Sequence, residues 1–589
     1  MPDVTTPVLV VGAGPAGLAT SLSLSRHGVP HLLVEKHPGT AHSPRAHIVN
    51  QRTVEICRDL GIEDRLLDVA TPAELMSNNV WATSLAGREL ARLETWGTSA
   101  ARAADYRAAS PSPMCNCPQH VLGPVLHEAI EEAGVGEVRF RHELVSLEQD
   151  ADGVTAVVRD RDAERDVTVR AQYVVGADGG RSRVVELTEL PLEGEHGLAQ
   201  AANVWFEADL TPYCAHRPGV LYWNASPGKD YWVGAGTFIC VRPWTEWVML
   251  FMFDPSRETV DPEDTEALRA RVHKVIGDPS VDVDIKALSF WTINHVLAER
   301  YTDGRILCMG DAVHRHPPAN GLGLNTSMAD GFNLAWKLAY VLDGRADPSL
   351  LDTYDAERRP VGRVTVDRAM KSVVEMAAIP AALGFEPDQD EADGWASLER
   401  LWQPGAEGDA VRAEFRAAIE LTNYQYNAHG VELGYIYREG AVVPDGRPEP
   451  PNPRDPELFY RPTTTPGARL PHAWVDDGAR RLSTLDLAGR GRFALLTGIG
   501  GEAWAGAAAR AAEAAGVEVA VFAIGTADGL VDAYGTWGDV RDVEPSGCVL
   551  VRPDQHIAWR AVAATDEALA ELPGVLAQVL GRVAVPARG

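Results

Sequence analysis

The sequence predicts an α/β protein with a Rossmann-like domain, into which a second, mixed β-sheet is inserted. Two observations predict this class. An apolar run at 8–11 enters the glycine motif at 12–17, which is followed by a helical stretch and by a second apolar run that ends in Glu35. Elsewhere, aromatic stretches with alternating polarity separate segments of the same βα type, and such stretches are typical of strands in another sheet.

The composition is that of an ordinary globular protein, with 589 residues of which 45% are hydrophobic and 23% are charged. This length corresponds to about two to four domains, and the composition argues against disordered, collagen-like and fibrous classes. The chain has no apolar run of about 18 residues and no basic segment before an apolar stretch at its start. We therefore expect neither a transmembrane helix nor a signal peptide.

The charge balance and the cysteines limit the partners and the compartment. Asp and Glu number 83 and Lys and Arg number 54, which gives a formal charge of −29. Because such a chain repels a phosphate backbone, nucleic acid is not an expected partner. The seven cysteines are an odd number, which argues against a disulfide framework and favours a reducing cytoplasm.

The glycine motif near the N-terminus predicts a dinucleotide site. Gly12 permits the tight turn, Gly14 lets backbone N–H groups approach a pyrophosphate, and Gly17 lets the helix pack closely on the strand. The helix, expected over about 15–27, would present its N-terminus to the anion. Glu35 would accept hydrogen bonds from a ribose diol. The alternative is a glycine-rich turn without a ligand.

Two further turns repeat the pattern of a strand that ends in glycine and aspartate. They are the stretches 173–180 and 305–311, which contain Asp178 and Asp311 respectively. After the second turn comes a glycine-rich stretch, 321–325, and then an apolar-faced helix over 326–342. The N–H groups at that helix start would stabilise a partial negative charge by about 1 kcal/mol.

The rest of the chain divides into regions that differ in composition and in residue pattern. The aromatic, alternating stretches at about 72–115 and 190–295 predict the inserted sheet. A proline-rich, polar stretch at about 385–465 predicts a connector. From 466 the βα rhythm returns, with apolar runs at 493–496, 517–524 and 548–551 and a helix at 503–515.

Taken together, these motifs resemble the single-component FAD-dependent aromatic hydroxylases, typified by para-hydroxybenzoate hydroxylase and phenol hydroxylase. Four stretches resemble most the 2,4-dichlorophenol 6-monooxygenase branch, which includes hydroxylases of bacterial natural-product and antibiotic biosynthesis. The resemblance covers nearly the whole chain. The stretches are HRHPPANGLGLNTSMADGFNLAWKL (314–338), SPRAHIVNQRTVEICRDLGI (43–62), CNCPQHVLGPVL (115–126) and YQYNAHGVELGYIY (424–437).

The resemblance implies a domain plan. An FAD-binding domain of the GR2 type would comprise 1–72, 116–190 and 296–385, and a substrate-binding β-sheet domain 73–115 and 191–295. A connector, 386–465, would lead to a thioredoxin-like domain at 466–589. Where that fold carries its Trp-Cys-x-x-Cys motif, this chain has the stretch 504–508, WAGAA, without cysteine. We therefore expect a structural role there, in part of a dimer interface, and no thiol exchange.

The implied cofactor is FAD, bound tightly but without a covalent link, while NADPH or NADH would bind only transiently and O2 would be the oxidant. The implied partners are a small aromatic substrate and a second copy of the chain, in a homodimer or a higher homo-oligomer, with no membrane. The implied FAD contacts are Gly12, Gly14, Pro15, Ala16, Gly17, Glu35, Lys36, Arg45, Gln119, Asp178, Asp311, Pro318, Gly321, Leu322, Gly323, Leu324 and Asn325. For Arg45, the alternative to an FAD contact is an ordinary surface arginine.

The implied reaction is hydroxylation of an electron-rich aromatic ring by a flavin C4a-hydroperoxide. A phenol has a pKa near 10, so a positioned base would help, and His47 is the candidate catalytic residue. It would act as a base or contact the substrate, or else pack under the flavin or bond to Asn50. Candidates for a water-excluding pocket in the inserted sheet are Trp223, Tyr231, Phe238 and Trp291, each of which has ordinary core packing as its alternative.

Other interpretations of the sequence assign the same fold a different reaction or no oxygenase reaction. Baeyer–Villiger insertion or epoxidation on a polyketide is one alternative, and a flavin-binding protein without oxygenase turnover is another. No metal is expected, because the pair Cys115 and Cys117 lacks a second pair at zinc spacing. The identity of the substrate, whether phenol, hydroxypyridine or polyketide ring, is not determined by the sequence.

Overall fold

The computed structural model describes residues 1–227 and 235–582. Its first sheet, here the nucleotide-binding sheet, has eight strands. In spatial order they are β16 (Thr302–Asp303), β17 (Ile306–Cys308), β10 (Arg165–Gly176), β1 (Val4–Val11), β2 (His31–Glu35) and β7 (Gly136–Phe140), with β9 (Val154–Asp160) and β8 (His142–Gln149) extending it from β10.

The centre of this sheet is parallel, since β1 pairs in parallel with β2 and β10, and β10 pairs in parallel with β17. Its central strands are buried on both faces, as is usual for parallel strands. Helix α1 (Pro15–Arg26) contacts both α5 (Gln119–Ala133) and α9 (Leu322–Leu342). Helix α9 begins four residues before the predicted start, because Gly321, at φ +63°, forms its N-cap and the following glycine-rich stretch is already helical.

The second sheet, here the inserted sheet, also has eight strands in the described part of the chain. There, its one parallel pair is that of β12 (Gly219–Asn224) with β4 (Asn78–Ala82). Its strands lie between Asn78 and Ala298, except for the short β18 (His314–Arg315). In spatial order its strands are β18 (His314–Arg315), β15 (Asp284–Ala298), β11 (Leu192–Glu207), β14 (Glu246–Phe253), β13 (Thr237–Arg242), β12 (Gly219–Asn224), β4 (Asn78–Ala82) and β5 (Glu89–Glu94).

The two faces of the inserted sheet have different neighbours. One face packs on α8 (Thr265–Ile276), whose Val272, Val275 and Ile276 are buried in the same core. The other face looks toward the nucleotide-binding domain: the Trp205 ring lies 5.9 Å from His120 on α5. We call this second face the cofactor-side face.

The stretch 386–465, predicted as a connector, contains four helices up to Leu433 and irregular chain in its proline-rich part. Two more helices precede these four in the chain, and the group of six packs beside the inserted sheet. The six are α10 (Asp352–Met376), α11 (Ala378–Leu383), α12 (Glu391–Glu399), α13 (Ala406–Leu421), α14 (Asn423–Tyr426) and α15 (His429–Leu433).

The C-terminal domain has a four-stranded sheet in the order β22 (Val519–Ala523), β21 (Phe493–Thr497), β23 (Cys548–Val551) and β24 (Ile557–Ala561). Strands β21 and β22 are parallel and the other pairs are antiparallel. The predicted helix at 503–515 is confirmed as α17 (Ala503–Ala515). The domain also contains α16 (Thr484–Leu487), α18 (Thr536–Val540), α19 (Asp566–Val579) and the hairpin of β19 (Trp474–Asp476) and β20 (Arg481–Ser483).

Short elements complete the chain. Among the described residues, no helix is both long and apolar enough to span a bilayer. The remaining elements are α2 (Gln51–Asp59), α3 (Glu63–Val69), α4 (Ala103–Ala109), α6 (Arg183–Thr188), α7 (Thr211–Cys214), the strand pair β3 (Ile48–Val49) and β6 (Cys115–Asn116), and 3-10 turns at Ala73–Leu75, Gly310–Ala312, Ala319–Gly321, Pro348–Leu351 and Arg400–Trp402.

Candidate active site

The three glycine and acid turns meet at one edge of the nucleotide-binding sheet. Val11 at the end of β1 lies opposite Gly176 at the end of β10, which lies opposite Cys308 at the end of β17. Parallel strands end at the same edge, so the turns that follow them are neighbours. A Cβ atom on Gly12 would lie 2.5 Å from the carbonyl oxygen of Ala177, which shows how closely the first two turns approach.

The glycines of the first turn divide into two kinds. A side chain on Gly17 would overlap the carbonyl oxygen of Gly12, and Gly12 itself has φ +107°, so both are required by the packing of the protein. Around Gly14, in contrast, a Cβ atom would meet no described atom within 4 Å. No side chain caps the N-terminus of α1 at Gly14. The space beside Gly14 and the uncapped helix start together fit a bound pyrophosphate.

Glu35 lies at the end of β2, next to this turn. One carboxylate oxygen accepts the N–H of Ala13 at 2.8 Å, and the other accepts the N–H of His37 at 2.9 Å. Each oxygen keeps a lone pair for a ribose hydroxyl. Lys36 is exposed beside it, and its role as a neighbour of the adenine stays a prediction.

The two aspartates of the later turns are placed differently. Asp178 accepts the Ser182 hydroxyl at 2.5 Å and the N–H of Arg183 at 2.6 Å, so its carboxylate anchors the start of α6. Burial raises the pKa of Asp178, against these hydrogen bonds. Asp311 is exposed, and its carboxylate has no hydrogen bond among the described residues. Of the two, Asp311 is therefore the one whose carboxylate is available to a ligand.

The segment around Arg45 is held against the start of α5. The N–H of Gln119 donates to Ala46 and the N–H of Cys117 donates to His47, both at 2.8 Å. The Arg45 side chain is exposed and makes no ion pair with a described residue. This pairing brings Arg45 and Gln119, which lie far apart in the sequence, to one end of the same helix.

His47 is half-buried beneath this pairing. Its Nδ1 lies 2.8 Å from the side-chain oxygen of Asn116. The amide of Asn116 donates to the carbonyl of Cys240 at 3.1 Å, so its oxygen faces the ring and Nδ1 carries the proton. Burial lowers the pKa of His47 to about 4, which leaves a neutral ring with Nε2 as an acceptor. Asn50, the predicted alternative partner, instead caps α2.

The start of α9 lies beside this histidine. Asn325 donates to Ile48 at 2.9 Å and accepts the N–H of Asn50 at 2.9 Å, so its side chain joins the helix to the His47 segment. A Cβ atom on Gly321 would lie 3.0 Å from Ile48. Pro318 is exposed, while Leu322 and Leu324 are buried. The stretch thus offers backbone rather than side chains to a ring placed along it.

A buried ionic cluster supports the third turn, and our sequence reasoning missed it. Asp330, on α9, accepts the N–H of Gly310 at 3.1 Å and lies 2.9 Å from Nε2 of His314. Its other oxygen accepts Nε of Arg358, on α10, at 2.7 Å. All three side chains are fully buried. Asp330 is the one acidic residue of this 21-residue helix, and that was the available signal.

The candidate pocket residues do not all lie together. Trp223 is buried on the cofactor-side face. Trp291 lies on that face too, but four strands away, where its indole N–H donates to Asn203 at 3.1 Å. Phe238 points to the opposite face, with its ring 5.5 Å from Phe206 in the core against α8. Tyr231 lies outside the described residues.

Several polar residues of the cofactor-side face were not predicted. Asn79, Trp81 and Thr237 are at most 1% exposed, and neither the Asn79 amide atoms, nor Trp81 Nε1, nor Thr237 Oγ1 has a hydrogen-bond partner among the described residues. Tyr426, on α14, lies across from them, with its ring 6.5 Å from that of Trp81. Alternation along β4 was the signal that could have placed Asn79 and Trp81 on one face.

Comparisons with known proteins agree with this geometry. A family model described as an FAD binding domain matches residues 5–369, and one described as the C-terminal domain of aromatic-ring hydroxylases matches 463–583. The chain is 48% identical to a 2,4-dichlorophenol 6-monooxygenase of Delftia acidovorans, over 98% of each chain.

Solved structures extend the likeness to the whole fold. The flavin-dependent monooxygenase PieE, solved in complex with FAD and substrate, is 55% identical, with a TM-score of 0.95 over 99% of this chain and all of that one. An aklavinone-11 hydroxylase in a ternary complex with FAD and aklavinone is 31% identical, with a TM-score of 0.79 over 99% of this chain and all of that one. The resemblance predicted from the four sequence stretches is confirmed.

Proposed function

Because the chain belongs to the family of FAD-dependent aromatic-ring hydroxylases, we propose that it is a monooxygenase that uses NADPH or NADH and O2 to hydroxylate an electron-rich aromatic ring. One observation carries this proposal. The three turns at the edge of the nucleotide-binding sheet, the start of α9 and the cofactor-side face of the inserted sheet surround a single region. A cofactor at the turns would therefore face a substrate on the sheet.

The residues of the site fit FAD. The open space at Gly14 and the uncapped start of α1 would hold the pyrophosphate, with Pro15 and Ala16 in the first turn of the helix. Glu35 would bind the adenosine ribose and Asp311 the ribityl or pyrophosphate oxygens. The backbone from Gly321 to Asn325 would lie along the flavin ring, where the helix start favours negative charge. When bound and reduced, FAD would activate O2, one atom of which goes to the substrate ring while the other leaves as water.

His47 has the role of a substrate contact in this proposal. Its neutral ring presents Nε2 as an acceptor, and Asn116 fixes the ring orientation through Nδ1. A phenolic hydroxyl that donates to Nε2 is oriented and gains electron density on its ring. With a pKa of about 4, the imidazole is a weak base, so a hydrogen bond is favoured over full proton transfer in the ground state.

The cofactor-side face would exclude water from the reacting atoms, with Trp223 and Tyr426 as apolar walls. We place the substrate among natural-product or phenolic rings, since relatives of both kinds share the fold. NADPH or NADH would reduce the flavin from a transiently occupied site.

We further propose that the C-terminal domain is thioredoxin-like. Its strand order, β22-β21-β23-β24, with one parallel and two antiparallel pairs, supports this. At the redox position, α17 has Trp504 and Ala505, and Cys548 is the one cysteine of the domain. Its role would be structural, through its buried contact with α9, where Phe493 packs on Trp336.

Location and assembly follow as smaller proposals. All seven cysteines are buried and unpaired, which supports a reducing, cytoplasmic location. A homodimer or higher homo-oligomer stays a prediction, and light scattering of the purified protein would test it.

The function is tested with purified protein and a panel of aromatic substrates. We expect a yellow protein that releases FAD on denaturation, NAD(P)H oxidation that rises with a substrate, and a product one oxygen atom heavier with a new ring hydroxyl. A ring-expanded lactone or an epoxide would favour the alternative oxygenase chemistry. A protein that stays colourless after incubation with FAD would contradict the proposal.

A further inference from the structure

The cofactor-side face carries a group of polar side chains that are buried and unpaired. Asn79 and Trp81 alternate on β4 and so share one face. Trp81 lies directly opposite Trp223 on β12, which lies directly opposite Thr237 on β13. With Trp223 between them, the unpaired side chains of Asn79, Trp81 and Thr237 cover a patch that spans three strands and is about 10 Å across.

Burial without partners is unusual for such groups. Asn79 is 0% exposed, and neither atom of its amide has a hydrogen-bond partner among the described residues. The same holds for Nε1 of Trp81 and for Oγ1 of Thr237. Most buried polar atoms in native proteins are paired. A nearby comparison is Asn116, which is also 0% exposed but bonds to His47, Thr71 and Cys240.

The patch lies on the face of the sheet that points to the nucleotide-binding domain, where the cofactor region is proposed. Helix α14 closes one side, with the Tyr426 ring 6.5 Å from Trp81 and 5.5 Å from Trp96. The loop before α9 is attached to the same helix, because the amide of Asn320 donates to the carbonyl of Tyr424 at 2.6 Å. The patch therefore lies between the inserted sheet and the loop that would carry the flavin ring.

We propose that Asn79, Trp81 and Thr237 form a specificity subsite that binds a polar substituent of the aromatic substrate. An amide offers a donor beside an acceptor, so its complement is a carbonyl oxygen beside an N–H or O–H group. Trp81 only donates, so it adds a second contact to the oxygen. The substrate class is thus a ring that bears a lactam, a carboxamide or an enolised carbonyl. A phenol whose other substituents are alkyl groups or halogens leaves these atoms unpaired.

The inference rests on the proposed function for the orientation of the substrate, but the subsite can be tested without turnover. Three phenols of nearly equal shape are suitable probes: 3-hydroxybenzamide, 3-hydroxyacetophenone and 3-isopropylphenol. They offer a donor and an acceptor, an acceptor alone, and neither. Their dissociation constants are measured by isothermal titration calorimetry on the FAD-loaded enzyme.

We expect the benzamide to bind at least about tenfold more tightly than the isopropylphenol, with the ketone between them, since tenfold is the effect of one good hydrogen bond. Asn79→Leu should reduce that ratio to about twofold or less. Thr237→Val and Trp81→Phe should reduce it in part. Thr53→Val is the matched control, because Thr53 is equally buried and unpaired but lies on α2, and it should keep the full ratio.

The variants also separate binding from folding. Because the Asn79 amide has no partner in the free protein, Asn79→Leu should unfold at the same temperature as the parent or higher. Equal affinities for the three probes, or a full ratio in Asn79→Leu, would overturn the subsite. Hydroxylation of aromatic rings without any binding preference among the probes would contradict this subsite but not the proposed monooxygenase function. The expected binding preference without FAD-dependent turnover would contradict the proposed function but not the subsite.

Discussion

The carboxylate of Asp330 accepts Nε of Arg358 at 2.7 Å, and neither side chain is exposed. This ion pair joins α9 to α10. Through its second oxygen, Asp330 also holds the N–H of Gly310 and the ring of His314. The buried carboxylate of Asp330 therefore holds the turn that contains Asp311 in place.

Asp330→Asn should lower both the free energy of unfolding and the affinity for FAD. The substitution leaves Arg358 buried beside a neutral amide, and an unpaired buried charge costs about 3–5 kcal/mol of unfolding free energy. Chemical denaturation and the FAD dissociation constant measure the two effects. Asp343→Asn is the control, because Asp343 pairs with Arg345 at the surface. Equal stability of the two variants would contradict a supporting role for Asp330.

The glycines of the first turn should separate packing from ligand binding. Gly14→Ala should leave the unfolding temperature unchanged, because its Cβ meets open space, but it should lower FAD affinity by filling that space. Gly17→Ala should lower both, because its Cβ overlaps the Gly12 carbonyl.

The readouts are thermal denaturation of the apoprotein and fluorescence titration with FAD. Gly574→Ala serves as control, since its Cβ meets open space within α19. If Gly14→Ala binds FAD as the parent does, the pyrophosphate does not lie there.

His47→Ala should keep FAD affinity within about twofold while hydroxylated product per NAD(P)H oxidised falls about tenfold, the effect of one lost hydrogen bond. Product is measured against NAD(P)H consumption and hydrogen peroxide release. Unchanged coupling would remove His47 from the mechanism. His273→Gln is a control, as that ring lies on α8 and, among the described residues, lies 2.9 Å from the Val281 carbonyl, away from the site.

The pH dependence of the reaction should also report on His47. Burial lowers its pKa to about 4, below the value of about 6.5 for a free histidine. The ring therefore stays neutral from pH 8 down to about 5, and the acceptor at Nε2 is lost only as pH falls through about 4. We expect the parent and His47→Gln to have the same pH profile above about 5. A step near 6.5 that is lost in the variant would contradict the neutral ring.

Arg552→Met should loosen the C-terminal domain. Arg552 donates to both oxygens of Glu357, at 2.6 and 2.8 Å, and Lys337 donates to the same carboxylate at 2.8 Å. Although burial raises the pKa of Glu357, Arg552 and Lys337 lower it to about 2.

Removing one cation from this cluster should cost about 3–5 kcal/mol. Limited proteolysis should then release the region beyond residue 466 sooner. Arg480→Met, at an exposed pair with Asp477, should leave the cleavage pattern unchanged. A variant as resistant as the parent would show that the cluster does not hold the domain.

Much of the fold could be predicted because its signals are local. A strand that enters a glycine turn is recognisable from a few residues, and the turns at 12–17, 173–180 and 305–311 lie where they were expected. The prediction of a connector at 386–465 rested on prolines near 450 and missed the helices before them, although Phe415, Ala418 and Ile419 have helical spacing in α13. Those helices pack on the inserted sheet.

By itself, the sequence determined the family, the cofactor class and the strands that end in glycine, because these depend on backbone conformation and on neighbours within one turn. Only the tertiary structure decided which face of the inserted sheet lies toward the nucleotide-binding domain. Period-two alternation divides a strand into two sets of side chains but does not say which set meets another domain. For that reason Phe238 and Trp223 looked equivalent in the sequence, while Asn79 and the pair of Asp330 and Arg358 became visible only when distant segments were brought together.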